Sequence, residues 1–315
     1  MSAAEATRAP AVGDLGAVRL RGPVVAASGC LRVTRTLEDL ADLSALGAWV
    51  SPTVALASAS SPPGPRWWGT PAGLVHPTSI EGPGISGLLA GDVPWFVARK
   101  VPVIVSVAAA TLGDYAEIVR HAAAAPGVIG VELRLAPPGA RGLGFHPVTE
   151  GFHVGRVVAA VRGELPPGCA LLAKLPALPD KVVDLARAAV DAGADAVTLV
   201  DAAPAYAVDP ATGRPPFPAF DPDRLSLSGP ALLPVALRSV HQVRAALPQA
   251  RIVASGGVRT GADVAAHLAA GASAVQVGTT LLRDPVAPQR LRTELSAALA
   301  AMTPHPIEPS DEETP

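Results

Sequence analysis

Short apolar runs alternate with amphipathic segments along most of the chain, and this alternation repeats eight times. Runs such as VPVIV and VTLV are continuously apolar, which is typical of strands buried on both faces of a parallel sheet. Amphipathic helical segments between such strands indicate crossover units. Eight units favour a (β/α)8 TIM barrel, and a doubly wound open sheet is the alternative.

The predicted elements leave long loops after strands 2, 4 and 6. The strands are predicted at 24–28, 48–53, 101–107, 128–135, 169–175, 196–201, 252–255 and 274–277. Helices are predicted at 36–46, 86–99, 112–124, 148–165, 180–192, 230–247, from residue 260 or 261 onward, and at 286–301. The loops cover 57–83, 136–147 and 202–229. In a barrel these loops share the C-terminal face, where substrate is handled.

The two ends of the chain differ from the barrel segment between them. Residues 1–15 show no periodic pattern and are predicted to form a flexible N-terminal arm. The tail at 303–315 is acidic and rich in proline, so it is predicted to be disordered. Residues 16–302 are therefore expected to form one domain.

Composition narrows the classes of partner. The chain has 315 residues, 49% of them hydrophobic, and a net charge of −2 with no basic cluster, which argues against nucleic acid or an anionic membrane surface. It shows no signal peptide and no apolar run long enough to span a bilayer. Cys30 and Cys169 form neither a disulfide framework nor a metal motif, and Cys30 is more typical of a small buried residue than of a nucleophile. We expect a cytoplasmic protein without a metal that binds a small molecule or a second copy of itself.

Two neighbouring strands near the C-terminus both end in glycine-containing turns. The first strand ends at Gly256 and Gly257, and the second ends at Gly278 and Thr279. Backbone N–H groups and helix N-termini would converge there on a volume that suits a phosphate. The loops after strands 7 and 8 are the usual phosphate site of a TIM barrel. The pattern predicts an anionic ligand, with two ordinary turns as the alternative.

Lys174 ends a buried apolar strand in the segment ALLAKLPAL. A lysine in this position is costly to desolvate unless an anion or a polar group meets it. Such a cation could stabilise negative charge that develops on a bound cofactor. The alternative is a lysine whose amine reaches solvent at the barrel rim.

Five segments, in order along the chain, carry a resemblance to a known family. They are PVVAASG (23–29), TPAGL (70–74), AKLPAL (173–178), LSGPALLPVALRSVHQV (227–243) and the run from 254 to 285 that contains both glycine turns. From about residue 23 to 295 the chain resembles the FMN-dependent dihydroorotate dehydrogenases. The LSGPALLPVALR run is the most specific, because other phosphate-binding barrels carry the glycine pairs without it.

The resemblance implies FMN in the barrel mouth. It assigns the phosphate to the two glycine turns, the isoalloxazine ring to the end of strand 1, and further contacts to the loop after strand 6 and to the lysine of strand 5. The residues implied are Gly256, Gly257, Gly278 and Thr279 for the phosphate, Ala27, Ser28 and Gly29 for the ring, and Ser228, Gly229 and Lys174 for the remaining contacts.

The same resemblance fails at the substrate side. The family has a segment like ELNxSCPN, whose Cys or Ser removes a proton from dihydroorotate, and this chain has ELRLAPPG at 132–139. The base position is Pro137, which has no ionisable group, and the asparagine of the motif is Arg134.

Further family residues are also exchanged. The lysine after strand 2 falls at about Pro52, the asparagine after TPAG at about His76, and that of strand 3 at Ser106. The asparagine that ends strand 6 is Asp201. Because dihydroorotate carries a carboxylate, Asp201 would set two negative groups against each other.

No catalytic residue is assigned by these patterns, but His76, Arg134 and Asp201 are candidates, together with His146. A histidine could replace the missing base, and the arginine could bind a carboxylate or phosphate. Alternatively, both histidines are solvated loop residues, and Arg134 forms a structural pair with Asp201 or Glu132.

The prediction from sequence is an FMN-dependent oxidoreductase that acts on a CH–CH bond and transfers hydride from a small dihydropyrimidine-like substrate, changed from dihydroorotate. The alternatives are a non-catalytic FMN- or phosphate-binding paralogue, and a true dihydroorotate dehydrogenase of pyrimidine biosynthesis with an altered base. Members of the family are often dimers, so the resemblance also implies a homodimer. No cysteine cluster for an iron–sulfur centre is present in the sequence.

Overall fold

A computed structural model describes residues 9–31, 42–60, 62–78, 80–135 and 149–302. Its strands are β1 (Val24–Ala26), β2 (Ala48–Val50), β3 (Trp68–Thr70), β4 (Gly73–Pro77), β5 (Val103–Val107), β6 (Val128–Arg134), β7 (Ala170–Lys174), β8 (Ala196–Leu199), β9 (Ala203–Pro204), β10 (Leu225–Ser228), β11 (Ile252–Ser255) and β12 (Ala274–Val277). Eight of them close a barrel in the order β1, β12, β11, β8, β7, β6, β5, β2. All the barrel pairs are parallel, which confirms the predicted (β/α)8 barrel.

Helices follow the barrel strands and cover the outside of the barrel. They are α1 (Gly84–Ala90), α2 (Asp92–Ala98), α3 (Leu112–Ala123), α4 (Gly151–Arg162), α5 (Val182–Asp191), α6 (Leu233–Ala246), α7 (Gly261–Ala269), α8 (Thr279–Arg283) and α9 (Ala287–Ala301). Within the described ranges, no helix combines the length and the apolar character needed to cross a membrane.

The alternating side chains of the strands supply two separate cores. One set of apolar side chains packs between the strands and the surrounding helices. The other fills the inside of the barrel, where Val25, Val50 and Leu172 meet. Strands that bury both faces explain the continuous apolar runs in the sequence.

Residues 13–15, at the end of the predicted N-terminal arm, pack against the barrel. Leu15 is 1% exposed and belongs to the core inside the barrel. The Gly13 amide donates to the Ser273 carbonyl at 2.7 Å, and Asp14 pairs with Arg251 at 2.9 Å. These contacts hold the segment against the barrel. Residues 1–8 and the predicted tail at 303–315 lie outside the described residues.

Two predicted helices differ from those observed. Of the helix predicted at 36–46, residues 36–41 lie outside the described residues, and the remainder forms only a short 3-10 turn, Leu43–Ala45, capped by Asp42. The helix predicted at 86–99 is split into α1 and α2 at Gly91. Pro94 explains the split, since it has no N–H to continue the helical hydrogen bonds.

The long loops after strands 2 and 6 of the barrel pair with each other. β4 from the first loop runs antiparallel to β10 from the second, and β3 and β9 extend this sheet at its edges. The sequence predicted loops here and missed the sheet. Ser228 at one end of the sheet and His76 near the other both face the barrel mouth, where they line a cavity, so this sheet forms one wall of the site.

Candidate cofactor and substrate site

A cavity of about 820 Å³ lies at the mouth of the barrel, between the carboxyl ends of its strands and the antiparallel sheet. All ten residues that the resemblance assigns to FMN line it: Ala27, Ser28, Gly29, Lys174, Ser228, Gly229, Gly256, Gly257, Gly278 and Thr279. The catalytic candidates His76, Arg134 and Asp201 line it as well. Pro137 and His146 lie outside the described residues. The structure thus brings the predicted residues together, and their binding roles remain predictions.

The turn after β11 has a backbone that only glycine adopts readily. Gly256 and Gly257 have φ angles of +128° and +81°. A Cβ on Gly257 would overlap the backbone of Leu233, at 2.5 Å from its Cα, and one on Gly256 would lie 3.2 Å from the Ala236 Cβ. The turn is therefore pressed against the start of α6, and its main chain forms the cavity wall.

Gly229 and Ser228 extend this backbone wall from the loop before α6. Gly229 has a φ of +106°, and a Cβ there would lie 2.9 Å from the Gly73 Cα. The Thr279 hydroxyl donates to the Ser228 hydroxyl at 2.9 Å. This bond joins the loop before α6 to the first residue of α8.

The N-terminus of α7 does not contribute to the cavity, contrary to the expectation that helix N-termini converge there. Thr260 caps α7, and the Asp263 carboxylate accepts from the amides of Thr260 and Arg259 at 2.9 and 2.8 Å. Glu294 of α9 accepts from the Gly261 amide at 2.7 Å. The Gly261 amide and the two amides that precede α7 are thus bound by the protein's own carboxylates, and the glycine turns are left as the candidate phosphate site.

Lys174 lies inside the barrel rather than at its rim. It is 5% exposed, and its amine donates to the Gln276 Oε1 at 2.9 Å and lies 3.5 Å from the Glu132 carboxylate. Glu132 is fully buried and accepts from Gln276 and, at 3.0 Å, from Thr198. The expected alternative of a solvated lysine is therefore wrong. The anion that meets Lys174 within the described residues is Glu132, which the sequence reasoning had considered only as a partner of Arg134.

Arg134 and Asp201 form an ion pair that faces the cavity. The Arg134 Nε donates to the Asp201 carboxylate at 2.7 Å, and the two side chains are only 12% and 11% exposed. Burial raises the pKa of Asp201, but the charges of Arg134 and Lys174 outweigh it and the pKa is lowered overall. Asp201 is thus a carboxylate at neutral pH, and one of the two expected partners of Arg134 is confirmed.

His76 on β4 is held in one tautomer by its backbone neighbour. Its Nδ1 lies 3.2 Å from the Pro77 carbonyl oxygen, which can only accept a hydrogen bond. Nδ1 therefore carries the hydrogen, and Nε2 keeps a free lone pair. Burial is the main cause that lowers the pKa of His76, with a smaller contribution from Arg134. The ring is neutral at pH 7 and can accept a proton.

Three hydroxyl groups form a chain beside these residues. Ser28 lies 3.2 Å from Thr53, and Thr53 lies 3.0 Å from the fully buried Ser106. Sequence reasoning identified Ser28 and Ser106 separately but missed Thr53, which links them. A polar residue at the end of a predicted buried strand was the available signal.

Cys30 also lines the cavity but is a poor nucleophile. Burial raises the pKa of its thiol to about 11, so it remains protonated at neutral pH. Its sulfur donates weakly to the Ser28 carbonyl at 3.6 Å. Among the described residues, no group of three or more His, Cys, Asp and Glu side chains could hold a metal.

Comparison with known proteins assigns the chain to a family. The family model for dihydroorotate dehydrogenase matches residues 14–299. Dihydroorotate dehydrogenase B (NAD(+)), catalytic subunit, of Anoxybacillus flavithermus is 32% identical over 289 residues, which are 91% of this chain and 90% of the relative. The protein of the same name from Pelobacter propionicus is 34% identical over 278 residues, 88% of this chain and 90% of the relative.

A solved structure agrees at the level of the fold. The dihydroorotate dehydrogenase of Eimeria tenella, in a complex with ferulenol, superposes with a TM-score of 0.70 at 18% identity. The match covers 90% of this chain and 82% of that one. Taken with the sequence matches, these findings show that the chain belongs to the dihydroorotate dehydrogenase family, whose members are oxidoreductases that act on a CH–CH bond.

Proposed function

We propose that this chain binds FMN in its barrel cavity and oxidises a small, uncharged, dihydropyrimidine-like ring rather than dihydroorotate. One observation carries the proposal: the residues assigned to the cofactor line the same cavity as four of the substituted substrate-side residues, Pro52, His76, Arg134 and Asp201. The first group matches the family and the second departs from it. A retained cofactor with a changed substrate accounts for both.

The size and the lining of the cavity support the proposal of a flavin mononucleotide. Its volume of about 820 Å³ falls within the usual range for small-molecule sites, roughly 300 to 1,000 Å³. The backbone turn at Gly256 and Gly257 would hold the phosphate, since a Cβ on Gly257 has no space. Lys174 and Ser28 would lie at the ring. FMN supplies the acceptor for a hydride when it is bound.

The charges of the cavity favour an uncharged substrate. The charged side chains that line its described part are paired: Arg66–Glu81 at 3.0 Å, Arg134–Asp201 at 2.7 Å and Lys174–Glu132 at 3.5 Å. A substrate carboxylate would meet no unpaired cation among the described residues, and Asp201 would repel it. A neutral ring with amide N–H and carbonyl groups can instead donate to Asp201 and accept from Arg134.

His76 is the residue that we assign as proton acceptor. Oxidation of a CH–CH bond removes one hydride and one proton, and a C=C bond forms in their place. The free Nε2 lone pair of His76 can take the proton, and the ring becomes a cation beside Asp201, which is close enough to affect its pKa. Pro137, at the family's base position, cannot do so.

The test is the absorption spectrum of the purified protein, followed by anaerobic titration with dihydrouracil and dihydroorotate. We expect a bound flavin that dihydrouracil bleaches and dihydroorotate does not. Bleaching by dihydroorotate alone would favour a true dihydroorotate dehydrogenase. If neither these two compounds nor related neutral rings reduced the flavin, a non-catalytic paralogue would be favoured. A protein that takes up no added FMN would overturn the proposal entirely.

The Asp201→Asn variant gives a matched control for the charge argument. It removes the negative charge and retains the size of the side chain. We expect it to improve the reduction of the flavin by dihydroorotate relative to dihydrouracil. An unchanged preference would mean that Asp201 does not select the substrate.

The arrangement of the protein in the cell is part of the same proposal. Two relatives are named as catalytic subunits, which supports a route for the electrons through another subunit. The homodimer and the cytoplasmic location remain predictions. Light scattering of the purified chain would test the first.

A further inference from the structure

His267 lies on α7, directly behind the glycine turn that ends β11. It is 0% exposed, and its Nε2 lies 3.2 Å from the Gly256 carbonyl oxygen. Its Nδ1 is buried and has no hydrogen-bond partner among the described residues. Because a carbonyl oxygen only accepts, Nε2 carries the hydrogen and donates it to Gly256.

This bond fixes the direction of the next amide group. The peptide between Gly256 and Gly257 is trans, so its C=O and N–H groups point in opposite directions. A carbonyl held toward α7 therefore turns the Gly257 N–H away from α7, and both glycines line the cavity. Without such a bond, two successive glycines could rotate this peptide at little cost.

Packing alone does not explain a histidine in this place. The neighbours of His267 on the buried face of α7 are Val264 and Ala265, and an apolar residue would fit such a face. An unpaired buried nitrogen is destabilising, and a leucine or phenylalanine would avoid this cost. Burial lowers the pKa of His267 against the opposing effects of Gly256 and Asp263, so the ring is neutral.

We propose that His267 is a positioning residue for the phosphate of the cofactor. It holds the Gly256 carbonyl so that the Gly257 amide donates to a phosphate oxygen. This inference rests on the proposed function, because it concerns the same FMN site. The role of His267 is confined to the phosphate group and does not extend to the flavin ring or the substrate.

The test compares FMN with riboflavin, which has the same ring and no phosphate. Dissociation constants of both are measured on the apoprotein by quenching of flavin fluorescence, for the wild type and for His267→Leu, His267→Phe and His267→Gln. The two apolar variants cannot donate to Gly256, whereas glutamine can donate from its Nε2 at a similar reach. Thermal melting shows which variants are folded.

We expect the apolar variants to bind FMN about tenfold more weakly, as for the loss of one hydrogen bond to a charged group. Their affinity for riboflavin should be unchanged, and His267→Gln should bind FMN within about threefold of the wild type. An equal loss for both flavins would indicate a merely structural role and overturn the inference, as would unchanged FMN binding. If the wild type bound neither flavin, the proposed function itself would fail. The FMN and riboflavin affinities of one folded apolar variant, either His267→Leu or His267→Phe, are enough to distinguish these outcomes.

Discussion

The two sides of the cavity are built from different parts of the polypeptide. On the side of β11, β12 and the end of β10, glycine main chain contributes much of the wall, with Gly229 and Gly257 in conformations and contacts that admit no side chain. On the side of β2, β5, β6 and β8, the wall consists of side chains that bind one another, including the pair Arg134–Asp201 and the hydroxyl chain through Thr53.

This difference explains how one side can match the family while the other departs from it. A main-chain wall changes only if the backbone changes, and the backbone here is packed against α6. A wall of paired side chains can be exchanged pair by pair without moving the strands. Substitutions on the substrate side should therefore leave FMN affinity unchanged, and substitutions at the glycine turns should alter it first.

The variant His76→Gln is the strongest test that the substrate side can change without a change in FMN affinity. We expect the rate of flavin reduction to fall by about 10²- to 10⁴-fold, the usual contribution of a general base, with the same FMN dissociation constant. In the wild type the rate should rise with pH to a plateau, with a midpoint below the ordinary histidine value, because burial lowers the pKa of His76. The variant should lose this rise.

His241→Gln is the matched control, since His241 is exposed on α6. It should leave both the rate and the pH profile unchanged. A loss of less than about tenfold in His76→Gln would remove His76 as the base. A parallel loss of FMN affinity would break the separation between the two sides.

Lys174 is assigned to the cofactor, but its partner Glu132 lies on β6 of the substrate side. The Lys174→Met variant leaves Glu132 buried without its cation. Breaking a buried ion pair costs about 3–5 kcal/mol of unfolding free energy. The double variant with Glu132→Gln should recover most of this loss. Urea denaturation measures both, and Lys181→Met, which removes an exposed pair with Glu150, should have no measurable effect.

The double variant also isolates the role of Lys174 at the cofactor. Once stability is recovered, a lower reduction potential of the bound flavin would support a cation at the ring edge. A potential equal to that of the wild type would leave Lys174 as the structural partner of Glu132. Additive losses in the double variant would contradict the pairing itself.

The barrel and the cavity-lining position of the ten residues assigned to FMN were predictable because their signals are local. Apolar runs, helix caps such as Thr260 and the glycine turns each lie within a few residues of sequence. The pairing of β4 with β10 was not predictable, since the paired residues, such as His76 and Ser226, come from two loops that are far apart in the sequence. Such pairing depends on the closed barrel, which brings the two loops together.

The partners of charged residues were harder to predict than the residues themselves. Arg134 and Glu132 are two positions apart on β6, where alternate side chains share a face. The sequence could not decide which would meet Asp201 and which Lys174. The structure settles this. The Arg134 Nε lies 2.7 Å from the Asp201 carboxylate, and the Lys174 amine lies 3.5 Å from the Glu132 carboxylate.

Gly257→Ala tests the main-chain side. The methyl group would overlap the backbone of Leu233 and would strain a residue with a φ of +81°. We expect a loss of roughly 2–4 kcal/mol in stability, together with much weaker FMN binding. Gly163→Ala, at the end of α4 with a φ of −70° and open space at its Cβ, should change neither quantity. Normal FMN affinity in Gly257→Ala would mean that the turn does not hold the phosphate.

The smallest and sharpest comparison removes one hydroxyl from each side. Thr53→Val breaks the bonds to Ser28 and Ser106, and Thr279→Val breaks the bond to Ser228. Each substitution keeps the shape of the side chain and should cost about 1 kcal/mol. Isothermal titration with FMN, and urea denaturation of the apoprotein, measure the two effects.

We expect the cost of Thr53→Val to appear mainly in stability, because Ser106 is buried and loses its hydrogen-bonding partner while the glycine turns are untouched. The loss of the bond to Ser28, which is assigned to the flavin ring, should change FMN affinity by less than about twofold. Thr279→Val should instead weaken FMN binding several-fold, since its hydroxyl joins the loop at Ser228 to the start of α8 beside the assigned phosphate site. If both variants weakened FMN equally, the cavity would behave as one coupled unit. In that case the exchange of substrate-side residues could not have left the cofactor side unaffected.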